Sequence, residues 1–216
     1  MTSRERFLAA GRMGEVDRKP TLAWMAEAEA DAVVIETGSG FRSSVEGPTV
    51  LVDVSNPFGL ALKKGIDLNK ALKDDPTVGG NLLDGLVDEV REHISVGLRN
   101  GADGIFYRLH GACPKHCSPM QYGGHYLERD RELLGEASAA TINVLFVAGQ
   151  EELYFDFVSD LPAHVFAWDC ELTRITADDV RTSRSGAVAS SDPSSEITLL
   201  IGHENYLENL EQPNIG

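Results

Sequence analysis

The chain has 216 residues, 42% of them hydrophobic and 25% charged, with a formal net charge of −15. That usage is globular and argues against overall disorder, and no apolar run reaches the roughly 18 residues of a membrane-spanning helix. The acidity repels nucleic acid and anionic membrane and gives a polyanionic ligand no general attraction.

Thr2-Ser3-Arg4-Glu5 predicts a capped helix over Arg4–Arg12, ended by Gly14 and Pro20. Thr21–Ala30 carries strong helix formers, although its opening also reads as a short strand. Seven apolar runs then predict buried strands: Ala32–Glu36, Thr49–Val54, Gly104–Leu109, Asn143–Gly149, His164–Asp169, Ala187–Ser191 and Ile197–His203. They lack strict alternation, as in a parallel sheet covered on both faces. Leu82–Arg99, Glu128–Ala140, Glu151–Ser159 and Ala177–Arg184 predict helices between them. Strands alternating with helices give an α/β fold of right-handed parallel crossovers, one domain over 1–216. A full (β/α)8 barrel takes about 250 residues. Here Thr21–Met25 is the only candidate for an eighth strand, residues 26–31 are too short for a helical crossover, and Gly38–Pro48 has no helical pattern. A TIM-barrel-like fold, incomplete or compacted at its N-terminal side, is the expectation.

Several segments carry a family pattern in order. They are Arg4–Ala10 with Gly14–Arg18 and Pro20, Asn56–Ala61, Asp74-Asp75-Pro76, Gly101–Phe106, Tyr122–Arg131, Glu151–Asp156, Trp168-Asp169 and Gly202-His203. Together they resemble the uroporphyrinogen decarboxylase-like family. The resemblance implies a (β/α)8 scaffold with its site at the C-terminal strand ends. It also implies one of two chemistries: cofactor-independent decarboxylation of uroporphyrinogen, or zinc activation of a thiol that takes a methyl group from a corrinoid. In the decarboxylases arginines follow a Trp-Leu-Met-like stretch, whereas here Trp24-Met25 is followed by Ala26-Glu27-Ala28-Glu29-Ala30. The zinc relatives carry His-x-Cys where this chain has Phe146-Val147-Ala148. Both inherited sites are altered, so the expected enzyme is a carboxy-lyase relative with a different small-molecule substrate. A metal-dependent methyltransferase-like protein and a non-catalytic binding protein of the same fold are the alternatives.

Strand ends supply the candidate residues, because that rim carries function in such barrels. His203, Asp169 and Asp53 are candidate catalytic groups, His203 because imidazole exchanges protons near neutrality. Tyr122, Arg108 and Trp168 are candidate substrate contacts, with Glu36 at a further strand end. The loop His110-Gly111-Ala112-Cys113-Pro114-Lys115-His116-Cys117 offers imidazole and thiol ligands, so His110, Cys113 and Cys117 form a candidate zinc site, with Cys170 or His116 as a fourth ligand. The decarboxylase reading requires no cofactor. The three cysteines and an N-terminus without an apolar leader core predict a reducing cytoplasm, and a barrel with a thin front predicts a homodimer.

Overall fold

A computed structural model of the chain describes residues 1–24, 30–38, 44, 46–149, 152–191 and 194–200. Eight parallel strands close into a barrel in sequence order. They are β1 (Thr21–Trp24), β2 (Ala32–Ile35), β3 (Thr49–Ser55), β4 (Gly104–Leu109), β5 (Val144–Val147), β6 (Val165–Trp168), β7 (Ala187–Ser190) and β8 (Ile197–Leu200). The ring is therefore complete, the expected (β/α)8-type barrel, and of the two alternatives for its N-terminal side it is compacted and not incomplete. Thr21–Trp24 is a strand, pairing Leu22 with Ala32 on one side and with Leu199 on the other. The compaction lies in the connections: residues 25–31 and 36–48 carry β1 to β2 and β2 to β3 with no helix among their described residues.

The helices are α1 (Ser3–Gly11), α2 (Pro57–Lys63), α3 (Leu68–Asp74), α4 (Pro76–Arg99), α5 (Pro119–Gln121), α6 (Leu127–Glu136), α7 (Phe155–Val158), α8 (Cys170–Thr173) and α9 (Ala177–Ser183), with a π turn over Tyr122–Tyr126. Their starts follow local rules. Thr2 and Glu5 close a capping box on α1, Asn56 caps α2 ahead of Pro57, and Asp75 accepts from the Thr77 and Val78 amides to start α4.

Every second residue faces the barrel interior, so Leu22, Val34, Leu51, Phe106, Val144 and Val165 share one buried cluster. The alternate residues, among them Val52, Ile105, Tyr107, Leu145 and Trp168, pack under the helices. Helix α1 plugs the bottom with Phe7 and Ala10. Gly11 allows the close approach, because a Cβ there would lie 2.2 Å from the end of the Ile142 side chain and push it aside. Ion pairs staple this end: Arg6 and Arg18 both hold the fully buried Asp31 side chain, and Arg4 holds Asp103. Each acid also accepts a strand amide, from Thr21 and Val50 respectively. Charge placed on the bottom face in this way serves stability, and leaves the opposite mouth for function.

Among the described residues no helix is long and apolar enough to cross a membrane.

Candidate functional site

The inward parity of β3 and β4 changes character near the C-terminal ends. Below lie Leu51 and Phe106; one pleat higher come Asp53 and Arg108, and the two strands run in register with Ser55 beside Arg108. Asp53 and Arg108 form an ion pair, with side chains only 10% and 6% exposed. The Arg108 guanidinium carbon sits 4.9 Å from the centre of the Trp24 ring at the end of β1, a cation–π contact. Trp24 packs edge-on to Phe106 at 6.0 Å, and Phe106 stacks on Phe146 at 5.5 Å. An aromatic floor thus carries a buried charge pair at the mouth.

Burial pushes the Asp53 carboxyl above its ordinary range, against the opposing pull of Arg108 and Lys63; Glu36 adds a small push in the same direction. Lys63, in the last turn of α2, is held below the usual ammonium value by desolvation and by Arg108. Asp53 Oδ1 is buried with no hydrogen-bond partner among the described residues. A buried acceptor in that state costs about 1–3 kcal/mol, and it marks where a ligand donor or proton fits. Across the mouth, Asp169 caps α8 through the Glu171 and Leu172 amides. The Cys170 sulfur lies 3.2 Å from Ser191 Oγ, which in turn is 3.5 Å from Asp169 Oδ1.

Behind β3 and β4 lies a second polar cluster, in the helix layer. Asp130 on α6 is fully buried and accepts from Tyr107 at 2.7 Å, from Tyr122 at 3.0 Å, and from Asn56 Nδ2 at 3.2 and 3.3 Å. Desolvation drives its carboxyl up to about 7, although all three donors pull the other way. Asn56 Nδ2 also donates to the His110 carbonyl at 3.0 Å, and Asn56 Oδ1 accepts the Gly59 and His110 amides at 2.8 and 3.1 Å. The carboxamide is thus used on every side.

Of the sequence candidates, the structure brings Asp53 and Arg108 together and sets Asp169 on the same rim. Tyr122 and Trp168 are corrected. Both are fully buried on the outer side of the sheet: Tyr122 binds Asp130, and the Trp168 indole donates to the Ile175 carbonyl at 2.8 Å. Trp168 misses the mouth by parity, since its neighbours Ala167 and Asp169 take the inward positions. Tyr126 likewise turns to Asn69, at 2.7 Å. His203 lies outside the described residues.

The zinc site is also corrected. Among the described residues no three His, Cys, Asp or Glu side chains group as a metal requires. Within the loop, the His110 ring packs on the first turn of α2, where a Cβ on Gly59 would be 2.5 Å from it. Cys117 faces Asn69, 3.6 Å away, and the His116 ring faces Phe58 at 5.5 Å. Burial raises the Cys113 thiol and lifts Cys117 to about 11, so both are neutral thiols in this structure. Cys170 meets Ser191 instead. The loop is a structural platform, pinned by Asn69 on the His116 carbonyl and by Tyr154 on the Cys117 carbonyl.

Sequence reasoning missed Trp24, Lys63 and Asp130. Asp130 had a legible signal: with Leu133 and Leu134 it forms an i, i+3, i+4 set, an acid on the apolar stripe of α6.

No family model matches the chain, and no curated protein matches it. Among solved structures it is similar to a methyltransferase from Methanosarcina mazei, with a TM-score of 0.54 and 14% identity. The match covers 66% of this chain and 43% of that one, so the chain spans less than half of its neighbour's length. The likeness is one of fold. It sets the closed barrel beside a longer chain and leaves the chemistry to the residues at the mouth.

Proposed function

We propose that the chain is an enzyme of the uroporphyrinogen decarboxylase-like superfamily that acts on a small carboxylated substrate at the Asp53–Arg108 pair. The observation that carries this reading is the pair itself, buried at the C-terminal mouth with one Asp53 oxygen unpartnered among the described residues. Arg108 offers a planar fork suited to a carboxylate. A substrate carboxylate that takes Asp53's place on Arg108 leaves Asp53 buried with only the weaker pull of Lys63. Its carboxyl then rises further and takes up a proton. The site so becomes a bound anion beside a neutral acid. For a lyase step, the bond to a substrate carboxyl breaks and carbon dioxide leaves. The electron pair stays on the carbon, and the Asp53 proton moves to it. Trp24 and Phe106 supply an apolar wall that lowers the local dielectric and favours loss of a substrate carboxylate other than the one held by Arg108.

Methyl transfer is the second reading, favoured by the likeness to the Methanosarcina mazei methyltransferase. The zinc group that activates a thiol in that chemistry has no matching donor set among the described residues.

Calorimetric titration with a panel of small mono-, di- and tricarboxylates tests the proposal. Binding should tighten as pH falls and take up close to one proton, read from buffers of different ionisation enthalpy. Arg108→Gln should abolish binding, and Asp53→Asn should remove the proton uptake. Absence of any carboxylate binding, or binding unchanged in Arg108→Gln, overturns the reading.

A further inference from the structure

We infer that Asp130, acting through Asn56, is a proton-sensitive clamp that sets the placement of Asp53 against Arg108. The inference rests on the reading of that pair as the functional site. Asn56 lies three residues beyond Asp53 on the same chain segment, and its own amide donates to the Arg108 carbonyl at 2.9 Å. Its side chain accepts from the N–H and donates to the C=O of His110, two residues beyond Arg108. One carboxamide therefore ties the end of β3 to the end of β4, immediately above the pair. Asp130 holds that carboxamide from the helix layer and fixes its orientation.

The strength of the hold depends on the charge of Asp130. As a carboxylate it accepts only, and its bond to Asn56 is charge-assisted. Once protonated it must also donate, and one oxygen no longer attracts both a phenol and the amide. The grip on Asn56 loosens, and with it the join between β3 and β4. The groups that face Asp130 are Tyr107 from β4, Tyr122 from the π turn and Asn56 from the cap of α2. The Cys117 thiol stands beside Tyr122. His110 is across Asn56, its imidazole pushed down to about 3 by burial, then by Arg108. Both phenols are raised well above their ordinary value, chiefly by burial. All of these are neutral near neutral pH. Arg131, on the same helix, turns away to Asp160 at 3.1 Å and to Glu128. With no cation facing it among the described residues, Asp130 can change charge within the ordinary pH range, and the change is delivered to one bridging residue.

Trp24 reports on the mouth because its ring carries Arg108. The chain has two tryptophans, so fluorine NMR of fluorotryptophan-labelled protein gives two resonances, and Trp24→Phe assigns one. The Trp24 resonance should move through a single transition centred near the value of about 7 that burial gives Asp130. The transition should vanish in Asp130→Asn and survive in Asp53→Asn. A transition that survives in Asp130→Asn, or is absent from the wild-type protein, overturns the inference. Should Asp130→Asn fail to fold, Tyr107→Phe decides. Removing one donor from the carboxylate should raise the midpoint by about one pH unit, and an unmoved midpoint overturns the inference equally. Loss of carboxylate binding with the Trp24 transition intact would sink the site reading and leave the clamp standing.

Discussion

Replacing Asp130 by asparagine should make the protein more stable at high pH and little different at low pH. Burial lifts the carboxyl from 3.8 to about 7 in the folded chain. At roughly 1.36 kcal/mol per pH unit, that difference is worth about 4 kcal/mol. The sign follows from proton counting. Below the unfolded value both states hold the proton, and the group costs nothing. Between about 4 and 7 the unfolded chain has released it while the folded chain keeps it, so stability falls as pH rises. Above about 7 both have released it, and the whole penalty is present. The substituted asparagine carries no such titration. Its amide can donate to the Tyr122 oxygen and accept from Tyr107, so the low-pH offset should stay within about 1 kcal/mol. Urea unfolding at steps of about one pH unit, from about 4.5 to 8.5, gives the stability of each protein. Their difference cancels every carboxylate they share. It should climb in favour of Asp130→Asn by about 1.4 kcal/mol per unit and flatten above about pH 7.5. A difference that is flat, or that falls with pH, refutes the reasoning.

Two glycines should behave oppositely. A Cβ at Gly104 would lie 1.6 Å from the Ile142 carbonyl oxygen, so Gly104→Ala must part β4 from the start of β5 and should cost about 3 kcal/mol or more. A Cβ at Gly85, inside α4, meets nothing within 4 Å, so Gly85→Ala should gain about 0.5–1 kcal/mol. Denaturant midpoints check both, and equal effects would contradict the packing. Burial works to raise the Asp31 carboxyl, but the Thr21 amide, Arg6 and Arg18 more than offset it and hold it below its ordinary value. Its stabilisation is therefore present above about pH 4 and lost as pH falls further. Asp31→Asn should cost about 1–3 kcal/mol at neutral pH, because Arg6 and Arg18 lose their buried carboxylate while Arg6 keeps Asp17, and much less in acid, which thermal melts at the two pH values would show.

The elements were legible in the sequence wherever one physical rule decided them. Gly104–Leu109 has the predicted boundaries because both faces of that strand are buried and a turn at Gly101 precedes it. The start of α1 follows from the reciprocal Thr2–Glu5 bonds. Thr21–Trp24 was ambiguous because helix formers follow it, and pairing with strands distant in sequence decided the question. Local propensity carries no term for that pairing. The short helices α2 and α3 escaped the periodicity test because seven residues hold too few turns for a stripe to show.

The mouth was harder to read, for a reason that is geometric. Adjacent residues at a strand end face opposite ways, so a side chain one position along belongs to the site or to the helix layer. Asp53 and Arg108 fall on the inward parity set by Leu51 and Phe106, and Trp168 does not. The same parity sends Tyr107 outward from β4 while Arg108 turns in, so two consecutive residues serve two polar clusters on opposite sides of one strand. The clusters are joined by backbone, through the Asn56 amide on the Arg108 carbonyl. A buried acid in the helix layer is thereby coupled to the mouth without touching it. This is also why a search among strand-end residues finds Asp53 and passes over Asp130. The link between them is a carboxamide whose hydrogen bonds to His110, Gly59 and Asp130 exist only once β3, β4, α2 and α6 are packed together.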